Sequence, residues 1–329
     1  MILNWFLREI RFCIRMKRDS KIVIFGGNGL LGSAVCRVLE RQEFDNILKP
    51  RSSEVDLLES KDVASFLDRE RPEYIFMLAG LVGGIAGNKS RPADFLYENS
   101  VMILNLLDGI RKFCSGAKIL YVGSTCIYPR DNPQPICEDR FMAGKLEESN
   151  KGYAVAKGLG VVGCELYRKQ YNTDVICAMP TNLYGLSDNY DLKNGHMIPG
   201  LIKKFLNSKT SGEKVTLWGS GRPRREALYS EDCADALVYL MENYSSSGII
   251  NVGTGFDYSI KEFAEIINGE IGADAGTVEW DTSKPDGTLE KRTDIARLKE
   301  IYPEYNPRSL AEGVCEILKN KKEVERILA

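Results

Sequence analysis

Short runs of branched apolar residues recur along the chain, at Lys21 to Phe25 (KIVIF), Tyr74 to Ala79, Lys118 to Val122, Val175 to Met179 and Gly248 to Val252. Such runs are too brief for helices, and their unbroken apolar character marks strands covered on both faces. Longer segments between them keep helical spacing, among them SAVCRVLERQ, with Ala34, Val35, Val38 and Leu39 on one side, and the stretches 91–113 and 151–170. Strand alternating with helix predicts an α/β fold, a doubly wound parallel sheet with helices on both faces. Beyond Pro180 the rhythm fails. Residues 181–227 are rich in Gly, Asn and Asp, and 273–309 are interrupted by Pro285, Pro303 and Pro307, yet 228–258 returns to helix and then strand. One unit therefore spans 21–182 and 228–258. A smaller, discontinuous α/β substrate lobe takes 183–227 and 259–329.

Composition removes several kinds of function. The chain has 329 residues, enough for two folded units, and 43% are hydrophobic, ample for a buried core. Lys and Arg number 44 against 46 Asp and Glu, a net charge of -2, so the basic stripe that nucleic-acid binding needs is missing and any anion site must be local. A single histidine, His196, excludes sites built on several imidazoles, and no metal is expected. Nine cysteines without a C-x-x-C pair read as reduced thiols and predict a cytoplasmic protein. No run of roughly 18 apolar residues predicts a membrane span. Residues 1–20 mix Trp5, Phe6, Leu7 and Phe12 with Arg8, Arg11, Arg15, Lys17 and Arg18. They read as a membrane-surface or targeting helix, or as a dispensable extension; the lack of a small-residue cleavage site favours the extension, and either precedes the fold.

Gly26-Gly27-Asn28-Gly29-Leu30-Leu31-Gly32 follows the first strand and opens a helix. Glycines there let the backbone turn tightly and let a pyrophosphate approach the N–H groups at the helix start; the competing reading is a tight structural turn. An acidic residue after the second strand would bind an adenine-ribose diol and repel a 2′-phosphate. Here Ile47-Leu48-Lys49-Pro50-Arg51-Ser52-Ser53 offers bases and hydroxyls and no acid before Glu54, which favours NADP(H) over NAD. Arg51, with Ser52 beside it, is the better phosphate contact because a guanidinium grips with a fork of donors; a solvated surface arginine is the alternative.

Tyr153-Ala-Val-Ala-Lys157 places a phenol and an ammonium at i and i+4, on one helix face. A tyrosine is a poor acid or base near neutrality unless a neighbouring cation stabilises its phenolate. Gly123-Ser124-Thr125-Cys126-Ile127-Tyr128-Pro129 lies at the carboxyl end of a strand, where doubly wound sheets bind ligands, and Ser124 there can hydrogen-bond a substrate carbonyl beside Tyr153.

Glycine turn, strand-end serine and Y-x-x-x-K, in this order, resemble the extended short-chain dehydrogenase/reductase superfamily, built on a Rossmann domain. Leu81-Val-Gly-Gly-Ile-Ala-Gly-Asn88, the segment 123–129, Met179-Pro-Thr-Asn-Leu-Tyr-Gly185, Gly195-His196-Met197-Ile198-Pro199, Trp218-Gly-Ser-Gly221 with Arg225-Glu226, and Ser283-Lys-Pro-Asp-Gly287 narrow this to a resemblance to the GDP-L-fucose synthase family, over residues 21 to 320. The resemblance implies conversion of GDP-4-keto-6-deoxy-D-mannose to GDP-L-fucose, by epimerisation at C3 and C5 and NADPH-dependent reduction at C4. It assigns Cys126 as base and His196 as acid, roles that a thiolate and an imidazole suit because both titrate near neutrality. Ser124 and Tyr153 would hold the enolate, Tyr153 would protonate the new alkoxide, and Lys157 would bind the nicotinamide ribose and tune Tyr153.

By the same resemblance the cofactor pocket also takes Asp56, Leu57, Val122, Gly123, Pro180, Thr181, Asn182, Leu183 and His196. Lys204, Trp218, Arg225 and Asp286 are substrate contacts, and two copies pair through the helices at 91–113 and 151–170. Three departures stand out: Asn28 where the family often has a basic residue, Arg51 one place from the usual arginine, and Lys204 for a commoner arginine. Plainer readings compete: Cys126 as a small buried hydrophobe, His196 as structural, Trp218 as core, and Arg225 as the partner of Glu226. The whole chain could also be another NAD(P)-dependent nucleotide-sugar epimerase or dehydratase, or a catalytically silent NADP-binding regulator. Thr125-Cys126 supplies no acid for a dehydratase, and a silent scaffold has no physical need for Ser124, Cys126, Tyr153, Lys157 and His196 together.

Overall fold

β1 (Ile22–Phe25), β3 (Tyr74–Met77), β4 (Lys118–Val122), β5 (Asp174–Pro180) and β9 (Ile249–Val252) are the five apolar runs. With the short β2 (Ile47–Leu48) they form a parallel six-stranded sheet in the order β2-β1-β3-β4-β5-β9. The computed structural model describes residues 16–192, 195–273, 278–283, 286 and 289–328. Every residue of β1 and β3 is buried, as strands covered on both faces require. Alternate side chains go to opposite faces. Ile22 and Ile24 pack with α1 (Leu30–Arg41) and α7 (Ser230–Asn243), whereas Val23 and Phe25 pack with α2 (Ser60–Glu70) and α4 (Pro92–Phe113). The short α3 (Ile85–Ser90) precedes α4, and α5 (Lys151–Tyr171) lies along α4.

The second unit is built on β6 (Asn182–Tyr184), β8 (Arg224–Tyr229) and β10 (Asp257–Ser259), in the order β10-β8-β6, with β7 (Val215–Trp218) paired in parallel to β11 (Val278–Asp281). Its core lies among α6 (Met197–Ser211), α8 (Ile260–Ile271), α10 (Leu310–Lys319) and α11 (Lys321–Leu328). Only Thr181 separates β5 of the main sheet from β6 of the second, and its N–H donates to Val252 of β9 at 3.0 Å.

Two sequence expectations need correction. Residues 16–20 belong to the fold rather than to an extension: Met16 is buried in the first core, Arg18 lies 4.5 Å over the Phe44 ring and the Ser20 hydroxyl donates to Glu73 at 3.2 Å. Residues 1–15 lie outside the described residues. The chain also returns to the first unit where 259–329 are expected to stay in the lobe: Ile295, Leu298 and Tyr305 pack in the first core, and α9 (Ala296–Ile301) lies against β9. Among the described residues no helix is long and apolar enough to cross a membrane, and the eight described cysteines are free thiols.

Candidate active site

The carboxyl ends of β1 to β5 lie along one edge of the parallel sheet. After β1, Gly26 takes φ +85°, and a β-carbon there would sit 2.7 Å from the Ala79 nitrogen. A β-carbon on Gly32 would collide with the Gly26 carbonyl oxygen. Glycine is therefore required at both places. Within the turn Gly26-Gly27-Asn28-Gly29-Leu30-Leu31-Gly32 the Gly27 and Gly29 N–H groups bond to Ile24 and Gly26, but Gly29 is the N-cap of α1 and no side chain caps that helix, so the N–H groups of its first turn are left for an anion. A dinucleotide pyrophosphate fits this cradle. Lys49 comes off β2 with its Cβ against Gly27, while Arg51 and Ser52 are exposed one turn further on, the Arg51 N–H bonded to the Glu54 carboxylate at 2.7 Å. Asp56 accepts the Leu58 N–H at 2.9 Å, and Leu57 is buried behind it. Val122 and Gly123 end β4, where Met179 leaves no room for a side chain on Gly123. Pro180, Thr181, Asn182 and Leu183 line the crossing from β5 to β6, and the Asn182 amide donates to the Glu226 carbonyl at 2.8 Å.

Ser124 follows β4 and caps the single 3₁₀ turn Thr125–Ile127, accepting the Cys126 N–H at 3.3 Å. That turn places the buried Cys126 next to the α5 pair. Burial raises the Tyr153 phenol well above its ordinary value, the nearby Cys126 sulfur acts in the same direction, and the Ser124 hydroxyl opposes both. Lys157 is buried, and burial lowers its ammonium to about 8. The expected tuning of the phenol by Lys157 is not what the structure shows. The ammonium lies 5.8 Å from the centre of the Tyr153 ring and donates to the Val122 carbonyl at 2.9 Å, because i, i+4 stacking sets it against the ring rather than the hydroxyl. Burial also raises the Cys126 thiol; Lys291, then Ser124 and Lys157, counter it.

Lys291 is the residue that sequence reasoning missed. It sits in a run of charged residues, Glu290-Lys291-Arg292, that reads as solvated surface. In the fold this run is a strap. Arg224 donates to Leu289 at 2.7 Å, Arg292 donates to the Gln134 side chain at 2.9 Å and accepts from Ile136 at 2.8 Å, and Thr293 is held by Glu226. The Lys291 ammonium has Cys126, Arg225 and Glu147 as its electrostatic neighbours, and burial lowers it. No local signal marks it, since the strap is placed by distant segments: Gln134, which binds the neighbouring Arg292 N–H, is 158 positions away in the chain.

Arg225 and Glu226 occupy opposite faces of β8 by strand alternation. Glu226 is fully buried and accepts from Thr254, Gly255 and Thr293, so it is not the partner of Arg225. Arg225 donates to the Arg224 carbonyl at 2.7 Å, and burial lowers its guanidinium. The remaining substrate candidates share one rim of the second unit. Trp218 is 71% exposed and is not core. Asp286 accepts from Ser220 at 2.8 and 2.6 Å, which holds its carboxyl below the usual range, and Lys204 donates to the Thr216 carbonyl at 2.8 Å. His196 is the N-cap of α6; partial enclosure lowers its imidazole, which makes no hydrogen bond among the described residues. The structure thus brings Ser124, Cys126, Tyr153 and Lys157 into one cluster and sets His196 on the second unit, at the start of α6.

A glycine cradle at the start of α1, with a strand-end serine beside a tyrosine and a lysine of α5, is the arrangement of a dinucleotide-dependent enzyme. Residues 22–253 match the model of the NAD dependent epimerase/dehydratase family, and the chain belongs to it. It is 44% identical over 281 residues to the GDP-L-fucose synthase of Sinorhizobium fredii, covering 85% of this chain and 88% of that one. To the probable GDP-L-fucose synthase 1 of Oryza sativa it is 41% identical over 304 residues, 92% of each. The solved GDP-L-fucose synthetase of Naegleria fowleri bound to NADP superimposes with a TM-score of 0.87 at 28% identity, over 94% of this chain and 96% of that one. The chain belongs to the GDP-L-fucose synthase family, NADP-dependent enzymes of GDP-sugar metabolism.

Proposed function

We propose that this protein converts GDP-4-keto-6-deoxy-D-mannose to GDP-L-fucose, inverting C3 and C5 and then reducing C4. The observation that carries the reading is the meeting of Ser124, Cys126, Tyr153 and Lys157 at the end of β4, with Lys291 and Arg225 beside them. The C–H bonds next to the ketone are acidic, and Cys126 is the group that takes their protons. Its buried thiol is a weak acid, hence a strong base once ionised, and Lys291 and Lys157 are the charges that favour ionisation. His196 returns protons from the other side. Ser124 and Tyr153 donate to the oxygen on which negative charge develops, and the raised phenol of Tyr153 stays protonated for that task. Bound NADPH supplies the hydride to C4. Tyr153 then gives its proton to the alkoxide, and Lys157 holds the ribose. Lys204, Trp218, Arg225 and Asp286 bind the GDP part: Trp218 offers a face for the base and the cations meet the diphosphate. In this reading the unit of β1 to β5 and β9 holds the cofactor and the second unit holds the sugar nucleotide.

The test is purified protein with GDP-4-keto-6-deoxy-D-mannose and NADPH in deuterated water. Loss of reduced nicotinamide absorbance with deuterium at C3 and C5 of the product is expected. Reduction without deuterium at those carbons would overturn the epimerase half, and no oxidation of NADPH would overturn the whole.

The enzyme works in the cytoplasm in this reading, supported by its free thiols. It acts as a homodimer through α4 and α5, where Tyr97, Leu104, Leu166 and Tyr171 are exposed at 65, 41, 54 and 41%. Light scattering should give twice the chain mass, and Leu166→Glu should halve it.

A further inference from the structure

The loop that joins β6 to α6 ends on His196 and is gripped near its start by the last helix. The Glu323 carboxylate accepts the Ser187 N–H at 2.8 Å and is itself held by Arg326 at 3.0 and 2.6 Å. Arg326 also donates to the Asp188 carbonyl at 2.7 Å and lies 5.2 Å over the Tyr190 ring, whose hydroxyl bonds back to Gly185 at 3.3 Å. Beyond that grip the loop is tied residue to residue: Asn189 N–H to Asp188, Asp191 N–H to Asn189, and Gly195 N–H to Asp191 at 2.7 Å. The last of these bonds stops one residue short of His196. From the other side, Ile327 of α11 is fully buried in the core that holds Ile198, Ile202 and Phe205 of α6.

α11 therefore holds both the loop before His196 and the helix after it. The grip also holds strain, because Ser187 takes φ +69°, a region non-glycine residues enter at a cost. A helix that only closed the second core would need Ile327 and not a buried Glu323 spent on a loop N–H.

We propose that Glu323 and Arg326 are positioning residues for His196, so that α11 governs the return of protons during epimerisation and not hydride transfer. This rests on the role given to His196 above. In the step concerned, the enolate C=C electron pair takes the proton of the protonated imidazole to form the C–H bond, the N–H pair stays on the ring nitrogen, and an oxygen lone pair re-forms the ketone. Misplacing the imidazole by about an ångström costs this step on the order of 10² in rate, while the Ser124, Tyr153 and Lys157 cluster stays untouched.

His196 is the only histidine in the chain, so its imidazole gives a single resonance that reports the loop directly. The experiment compares wild type, Arg326→Ala, Arg326→Lys and Glu323→Gln by histidine NMR titration, by NADPH affinity and by turnover. In Arg326→Ala the resonance should move and its pKa should rise towards the ordinary histidine value as the loop opens. Turnover to the doubly inverted product should fall roughly 10- to 100-fold in kcat with little change in KM. Product reduced at C4 without inversion should accumulate, and NADPH affinity should hold. Arg326→Lys, which keeps a donor for Asp188, should recover part of the loss. An unchanged histidine titration, or inversion and reduction falling together, overturns the proposal. If the wild type itself does not turn over, the reaction assigned above fails, which is a different result.

Discussion

Glu226→Gln tests whether the strap carrying Lys291 is held as the structure shows. One carboxylate oxygen accepts Thr254 N–H at 2.6 Å, Gly255 N–H at 2.7 Å and the Thr254 hydroxyl at 3.3 Å; the other accepts the N–H and hydroxyl of Thr293, both at 2.7 Å. A carboxamide has one acceptor oxygen. Its cheaper orientation turns the NH2 to Thr293, whose hydroxyl can rotate to accept, while the Thr293 N–H is left buried without a partner. That orphan costs about 1–3 kcal/mol, and the surviving bonds lose roughly 0.5–1 kcal/mol each once the charge is gone. The sum is on the order of 2.5–6 kcal/mol, and at about 2–4 °C per kcal/mol the melting temperature should fall by at least ~5 °C. Because Thr293 anchors the strap, kcat should drop more than KM rises. Calorimetry and steady-state kinetics on the same preparation check both. A melting temperature within about 2 °C of wild type would refute the bonding account, and a large thermal loss with unchanged kcat would refute the link to Lys291.

Cys126→Ser should cut deuterium entry at C3 and C5 by roughly 10²–10⁴ while NADPH binding stays unchanged, read by NMR of the product. Lys291→Met should move the rising limb of the epimerisation pH profile to higher pH, because the leading cation opposing burial of the Cys126 thiol is lost and less thiolate forms at a given pH. Gly32→Ala should weaken NADPH by at least ~10-fold in fluorescence titration, since the added methyl collides with Gly26 and opens the cradle. Burial raises the Asp188 carboxyl to about 7, above its unfolded value, so its contribution to stability is present at low pH and is lost as pH rises through about 7. The urea midpoint should therefore fall less between roughly pH 5 and pH 8 in Asp188→Asn than in wild type.

The main sheet is legible because its strands are unbroken apolar runs, a pattern set by burial on both faces. The second unit is not. Asn182–Tyr184 and Asp257–Ser259 are too short and too polar to show a period, and they become strands only by pairing with β8. Within the site, Ser124, Tyr153 and Lys157 can be read because each lies in a short motif beside a regular element. Lys291 and Glu226 cannot, since what places them is bonding between distant segments. Residue types also said nothing about where donors are spent, and Lys157 could only be seen to bond Val122 once β4 and α5 were packed together.

The passage from β5 to β6 through a single residue has a consequence for how such an enzyme diversifies. A chain that crosses between sheets as one nearly continuous strand, pinned at Thr181 and Asn182, is a splint rather than a hinge. The distance from the cradle to the rim proposed to hold the nucleotide is then set by covalent geometry and does not depend on how tightly the rim grips its ligand. Residues around Trp218, Ser220 and Asp286, proposed above to meet the GDP part, can drift in sequence, and with them the preferred nucleotide, without resetting the reach of the hydride. One half of the catalyst is free to vary because the other half is held still.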